Sequence, residues 1–147
     1  MANPSKQKGT AAETAVVRYL RGFGYQSAER LPLAGQADVG DVRVFPGLHL
    51  EVKAGNAAHS ASHSQCERWM REAEREAFNA GCPVFLVVKR KGTTDVGQWR
   101  FFCRLGDLTI NPHQDALMET TVMEALGILL NDDFPGVDTS NQWGEQG

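Results

Sequence analysis

The sequence has no long apolar run, no internal repeat and no signal-peptide pattern. A membrane-spanning helix needs about 20 consecutive apolar residues, and secretion needs a charged start followed by an apolar core. We therefore expect a soluble, unexported protein that remains in the cytoplasm and does not contact a membrane.

Cysteine is scarce, and the three residues do not have the spacing of a metal-binding motif. They are Cys66, Cys82 and Cys103. Each lies in a largely apolar stretch, and an odd number cannot all form disulfides. We expect reduced thiols in the core of a cytosolic protein.

Basic residues are absent from the last part of the chain. All 15 Lys and Arg precede residue 106. The net charge of residues 1–105 is +5, and the net charge of residues 106–147 is −8. A basic body fits a protein that binds nucleic acid. The chain of 147 residues suits one globular domain. We place it at 9–131, after a flexible arm at 1–8 and before an acidic, disordered tail at 132–147.

Apolar and polar residues alternate along 41–53, which predicts a β-hairpin. The apolar set is Val42, Val44, Leu48, Leu50 and Val52, and the polar set is Asp41, Arg43, His49, Glu51 and Lys53. A three-residue loop at 45–47 would place the whole apolar set on one face. Its register pairs Val44 with Leu48, Val42 with Leu50, Arg43 with His49 and Asp41 with Glu51.

Two carboxylates side by side on a sheet repel each other unless something offsets their charge. A Mg²⁺ ion would do so, because Asp41, Glu51 and the backbone carbonyl of Val52 are the oxygen ligands that it takes. Lys53 would lie beside that ion and could assist attack on a phosphate. This arrangement predicts metal-assisted phosphodiester hydrolysis, and the alternative is an ordinary hairpin with a solvated charged face.

Two further acids lie near this pattern. Glu13 is on the apolar side of a predicted helix at 9–23, where it either caps the helix together with Thr10 or joins the metal site. The two roles could coexist. Asp38 precedes Asp41 and is either a second metal ligand or a turn residue.

The rest of the chain predicts a strand at 25–33, a helix at 65–79 ended by Gly81, a buried strand at 83–88, a strand at 98–105 and a helix at 118–130. The inward residues of the last helix are predicted to be Val122, Leu126, Leu129 and Leu130. In the helix at 65–79, Glu72, Arg75 and Glu76 are predicted to point outward.

Candidate contacts to a nucleic acid are polar or basic residues on these elements. They are Arg30, Ser62, His63, Gln65, Arg68, Lys89, Arg90 and Lys91. The run 89–91 either binds phosphates or simply keeps a strand end soluble.

The order α-β-β-β-α-β-β and its ordered motifs resemble the PD-(D/E)XK nuclease superfamily, and within it the Hjc-like Holliday-junction resolvases of phages and prophages. The motifs are Lys8-Gly9-x-x-x-Glu13, Gly35-x-x-Asp38-x-Gly40-Asp41, Pro46-Gly47 and Glu51-Val52-Lys53, followed by the helix with Trp69 and the strand end Val-Val-Lys-Arg. The resemblance covers about residues 8–105. Gly40 replaces the proline that usually precedes the catalytic aspartate, so Asp38 and Asp41 both remain candidates.

The resemblance implies a restriction-endonuclease-like α/β fold, with a mixed sheet flanked by helices and a C-terminal helix. It also implies an endonuclease that needs Mg²⁺, with Mn²⁺ as a substitute, and that acts as a homodimer on branched DNA, in the host cytoplasm if a phage encodes it. By position, Asp41 and Glu51 would bind metal, Lys53 would assist the attacking water, and Glu13 would complete the site directly or through water.

Two alternatives remain open. One is a nuclease of the same fold that acts on DNA ends, flaps or ordinary duplex. The other is a non-catalytic module that binds nucleic acid or protein.

Overall fold

A computed structural model describes residues 4–31, 41–109, 115–135 and 137–143. These residues form an α/β fold in which helices flank a mixed sheet of six strands. The strands are β1 (Glu29–Arg30), β2 (Val42–Phe45), β3 (Leu48–Lys53), β4 (Val84–Val88), β5 (Arg100–Arg104) and β6 (Leu117–Thr121). The helices are α1 (Pro4–Phe23), α2 (Asn56–His59), α3 (His63–Ala80), α4 (Leu105–Leu108) and α5 (Val122–Leu130). The predicted α/β class with a mixed sheet is confirmed. Within the described ranges, no helix combines the length and the apolar character that a membrane span requires.

The six strands lie in the sheet in chain order, and only the β3–β4 pair is parallel. A parallel pair needs a crossover connection, which α2 and α3 provide. Leu86 and Phe102 pack with Met70 of α3 on one face of the sheet. On the other face, Phe85 and Leu50 belong to the main core, which also holds apolar residues of α1 and α5. The sheet is therefore the middle of three layers.

The β2–β3 hairpin keeps two of the predicted residue pairs. They are Val42 with Leu50 and Arg43 with His49. The predicted pair of Val44 with Leu48 is wrong, because Phe45 pairs with Leu48 and the register shifts just before it. The extra residue therefore forms a bulge inside β2 instead of lengthening the loop. The turn is left with Pro46 and Gly47, and Gly47 adopts a φ of 100°, which favours glycine.

Helix α1 begins at Pro4, ahead of the predicted start near Gly9. Thr10 consequently lies inside the helix, so its predicted capping box with Glu13 is wrong, because a cap forms only at a helix end. Residues 1–3 of the expected N-terminal arm lie outside the described residues.

Helix α3 agrees with its prediction at both ends. The side chain of Ser62 caps its start by accepting a hydrogen bond from the Gln65 N–H, and Gly81 ends it in the left-handed conformation with a φ of 70°. Its buried stripe includes Cys66, Met70 and other small or apolar residues.

The predicted helix at 118–130 is wrong in its first turn. Residues 117–121 form strand β6, and Thr121 then caps α5 by accepting a hydrogen bond from the Glu124 N–H. Threonine favours strands and helix caps over helix interiors, which explains the later helix start. Leu130, predicted to point inward, is 40% exposed, whereas Ala125 is buried.

The chain after α5 packs against the domain over part of the predicted disordered tail at 132–147. Phe134 and Val137 are buried in the main core. The Trp143 ring stacks on Tyr25, with 5.2 Å between the ring centroids. The sequence after α5 has no hydrophobic periodicity from which these contacts could be predicted, because a single large apolar side chain can dock without a repeating pattern.

Candidate active site

Asp41 lies at the point where β2 begins and is held there by its neighbours on both sides. Its N–H donates to the carbonyl of Leu50 at 2.9 Å, and its own carbonyl accepts from the Leu31 N–H at 2.9 Å. The side-chain oxygen Oδ2 accepts a hydrogen bond from the Val52 N–H at 2.8 Å. The carboxylate therefore lies along the free edge of β3, beyond the end of β2.

The carbonyl of Val52 faces the same edge. In a β-strand, the N–H and the C=O of one residue project from the same side of the strand. Because the Val52 N–H points to Asp41, its carbonyl oxygen also projects toward that side. The predicted backbone ligand is thus on the edge that Asp41 occupies.

The Glu51 carboxyl is largely buried, with 13% of its side chain exposed, and it carries the strongest electrostatic signature of the site. Its pKa is raised to about 7, mainly by burial and then by the charge of Asp41, while Lys53 opposes the rise. The Nζ of Lys53 lies 3.4 Å from Glu51 Oε1. The structure therefore brings Asp41, Glu51 and Lys53 together, and Glu51 ionises only at a free-energy cost.

Lys53 lies at the end of β3, where it contacts two other elements. Its Nζ is 5.7 Å from the ring centroid of Trp69 in α3. Its carbonyl accepts a hydrogen bond from the Lys89 N–H at 2.9 Å, which joins the ends of β3 and β4. The carboxyl ends of parallel strands are a common place for ligand sites in α/β proteins.

Glu13 is placed differently from the other predicted ligands. Its Oε1 lies 3.9 Å from Arg30 Nε, and Arg30 pairs with the core residue Val42 on the α1 side of the sheet. Glu51 pairs with Leu86, which faces α3. The role of Glu13 in the site stays a prediction, and Asp38 lies outside the described residues.

The donor set at the strand end fits a divalent cation of the Mg²⁺ type. Asp41 and Glu51 supply carboxylate oxygens, Val52 supplies a carbonyl, and water would complete the shell. Burial, the largest cause, and the charge of Asp41 both raise the pKa of Glu51, and a cation bound at the pair would favour its ionised form. In the part of the chain that the structure describes, no group of three or more His, Cys, Asp and Glu side chains is arranged to hold a metal. The carboxyl pair and the Val52 carbonyl are the candidate ligands that the structure places at one strand end, and Glu13 and Asp38 stay predictions.

The polar residues predicted to contact DNA lie in three places. Arg30 is on the edge strand β1, and four residues lie at the start of α3: Ser62, His63, Gln65 and Arg68. Arg68 Nη2 donates to Gln65 Oε1 at 2.7 Å. Lys89, Arg90 and Lys91 follow β4. Two of them line an open cleft of about 350 Å³, which is formed by His59, Lys89, Arg90, Gly92, Thr93 and Thr94.

Two residues at the site were misplaced by the sequence analysis. Glu76, predicted to point outward, is half-buried and its charge raises the pKa of Glu51. The signal was present, because Glu76 follows Trp69 by two helical turns and so shares its flank of α3. His49, predicted on the solvated face, is only 8% exposed, and its Nδ1 lies 3.3 Å from Cys82 Sγ.

Comparison of the chain with models of known protein families, with curated proteins and with solved structures found no match.

Proposed function

We propose that this protein is a metal-dependent endonuclease of the PD-(D/E)XK type that hydrolyses phosphodiesters in branched DNA, as a Holliday-junction resolvase does. The observation that carries the proposal is the cluster at the end of β3. There, a largely buried glutamate with a raised pKa lies beside Asp41 and within 3.4 Å of the Lys53 amine. Two acids that can hold a metal ion and an amine that can stabilise negative charge are groups suited to phosphodiester hydrolysis.

The order of elements supports the finer fold assignment. A helix precedes an antiparallel β1–β2–β3 meander, α3 crosses over to the parallel strand β4, and β5 follows as an antiparallel neighbour. This is the order expected for a restriction-endonuclease-like fold. Strand β6 and helix α5 extend it at the C-terminal end.

The chemistry assigns a separate task to each group. Asp41, Glu51 and the Val52 carbonyl would hold Mg²⁺, or Mn²⁺ in its place, and the bound cation would supply Lewis acidity next to the scissile phosphate. Water would attack the phosphorus in line as the P–O3′ bond breaks; the attacking water would lose a proton to solvent and the 3′ oxygen would gain one, which leaves a 5′ phosphate and a 3′ hydroxyl. Lys53 would donate hydrogen bonds to a phosphate oxygen and stabilise the negative charge that develops there.

The surroundings of the site suit a DNA backbone. The cleft with Lys89 and Arg90 adjoins the site through the hydrogen bond between the Lys89 N–H and the Lys53 carbonyl. Basic side chains contribute salt-dependent, sequence-independent affinity for phosphates. Because a branched junction presents paired strands, we propose that the protein acts as a homodimer with one site for each strand.

The proposal is tested by cleavage of labelled DNA. Wild-type protein is mixed with a four-way junction, a flap and a linear duplex of related sequence, with Mg²⁺ or with a chelator. We expect Mg²⁺-dependent cuts that are fastest on the junction. If flaps, ends or duplex were cut faster than the junction, the nuclease activity would be supported and the proposed substrate would be wrong.

Lys53→Ala provides the matched variant. We expect the variant to bind the junction and to cut it at least ~10²-fold more slowly, because it loses stabilisation of the transition state. Lys91→Ala, in the basic run outside the carboxyl pair, should weaken DNA binding most at low salt, make the affinity less dependent on salt, and retain the cleavage rate at saturation. Wild-type cleavage rates in Lys53→Ala would show that the mechanism is wrong.

A further inference from the structure

The Lys53 amine has a second contact that the proposed chemistry leaves unexplained. Its Nζ lies 5.7 Å from the centroid of the Trp69 ring. An ammonium within about 6 Å of an indole face is attracted by the negative potential of that face. The indole therefore holds the charge of Lys53 from the side of α3.

Packing of α3 explains why Trp69 reaches this position. Met70 and Cys66 turn toward the sheet and are buried beneath the helix, whereas Trp69 is half-buried beside them. Trp69 is offset from Met70 by about 100° around the helix, which places its ring on the flank that faces β3. Two turns later on the same flank, the charge of Glu76 acts on Glu51. This flank of α3 therefore lies along the polar side chains of β3.

We propose that Trp69 is a positioning residue that holds the Lys53 ammonium in the site, an inference that rests on the proposed nuclease function. A lysine side chain is long and flexible, so its amine needs partners to remain in one place. One partner is Glu51, at 3.4 Å, but Glu51 is also a candidate metal ligand and would share its charge with the cation. The indole bears no net charge and is not a metal ligand, so its contact with Lys53 persists when Glu51 is engaged.

The contact is tested first without reference to activity, by NMR of protein labelled with ¹³C-lysine. The ring current of Trp69 should move the ε-methylene protons of Lys53 upfield, and Lys53→Arg identifies that resonance by removing it. Trp69→Leu should abolish the upfield shift, and Trp69→Phe should retain part of it. Lys89 serves as an internal control, because its Nζ lies 5.6 Å from the Trp99 ring and its resonance should not move in either variant.

The role in positioning is tested by kinetics on the preferred DNA substrate. We expect Trp69→Leu to lower kcat about tenfold, with KM and Mg²⁺ affinity close to wild type, and Trp69→Phe to recover most of the rate. Circular dichroism checks that both variants fold, and Trp69→Met, which removes the ring and keeps much of the volume, replaces the leucine variant if that variant does not fold.

The outcomes separate this inference from the proposed function. If the wild type cleaves and Trp69→Leu changes neither the Lys53 resonance nor kcat, the inference is wrong and the nuclease stands. A raised KM with unchanged kcat also overturns it, because Trp69 would then contact DNA directly. If the wild type cleaves no substrate, the proposed nuclease function and the proposed positioning role are both wrong, and the NMR shift then reports only a structural contact.

Discussion

Asp41 combines a structural and a chemical task in one carboxylate. Strand β2 begins at Val42, and just before that start Asp41 Oδ2 accepts the hydrogen bond of the Val52 N–H of β3. The same carboxylate repels Glu51 and raises its pKa. Substitutions that keep the shape of Asp41 should therefore separate the two tasks.

Asp41→Asn and Asp41→Ala are the informative pair. Asparagine keeps an oxygen for the Val52 N–H and removes the repulsion, so its free energy of unfolding should equal or exceed that of the wild type. Alanine leaves the N–H without this acceptor, which should cost about 1–3 kcal/mol. Both variants should lose Mg²⁺ affinity. Urea denaturation and calorimetry measure the two effects, and wild-type Mg²⁺ binding by Asp41→Asn would contradict the assignment.

Glu51 makes the stability of the protein depend on pH. Its pKa is about 7 in the folded protein and near 4.5 when unfolded, so folding favours the protonated form. The associated stability is complete below about pH 4.5 and is lost as the pH rises through about 7. Glu51→Gln does not titrate, so its stability relative to the wild type should rise over this range, to about 3 kcal/mol at pH 8.

Denaturation of Glu51→Gln and wild type at pH 5, 6, 7 and 8 checks this sign and range. Glu72→Gln, at an exposed position of α3, is the control and should show no comparable trend. If the difference in the free energy of unfolding between Glu51→Gln and wild type stayed constant from pH 5 to pH 8, the raised pKa of Glu51 would be refuted.

At the scale of elements, the hairpin shows what a two-residue period can and cannot predict. The alternation of apolar side chains, together with the short loop, was sufficient for the pairing of Val42 with Leu50, because a slip by one residue would mix charged and apolar residues on one face. It could not distinguish a longer loop from a bulge, since one extra residue restores the same register in either place. The burial of both Val44 and Phe45 against the core accompanies the bulge.

Helix α3 is tied to the sheet by an ion-pair cluster around Arg104 of β5. The guanidinium makes two hydrogen bonds to Glu74, at 2.7 and 3.2 Å, and two to Glu67, each at 2.9 Å. It also donates to the carbonyl of Asp115 at 2.8 Å. Only 12% of the Arg104 side chain is exposed. This cluster fixes the helix that carries Trp69 over the site.

Arg104→Ala should therefore be strongly destabilising. Removing one member of a largely buried charge cluster leaves the other charges uncompensated, and we expect a loss of about 3 kcal/mol in the free energy of unfolding. Arg71→Ala is the matched control, because Arg71 also pairs with Glu67 but is 68% exposed, and its loss should cost less than about 1 kcal/mol. Chemical denaturation compares them, and equal losses would contradict this account of α3.

At the scale of the whole molecule, local patterns predicted the α/β class and the buried β4, because a continuous apolar run bounded by Pro and Gly has few other interpretations. Contacts between distant segments were not predictable in the same way. Strand β6 directly precedes α5, so the two shared one apolar pattern, and Phe134 lies in a segment without periodicity. Helical spacing indicates that Glu76 and Trp69 share one flank of α3, but the approach of that flank to Glu51 depends on how α3 docks, which no local pattern specifies.

The central claim is that Asp41 and Glu51 gather a divalent cation at the end of β3. Titration calorimetry of the folded protein with Mg²⁺ tests it most directly, with Glu51→Ala as the variant and Glu72→Ala as the control. The account predicts that wild type and Glu72→Ala bind Mg²⁺ and that Glu51→Ala does not. Absence of Mg²⁺ and Mn²⁺ binding by the wild type, or wild-type affinity in Glu51→Ala, would contradict it and favour a non-catalytic binding module.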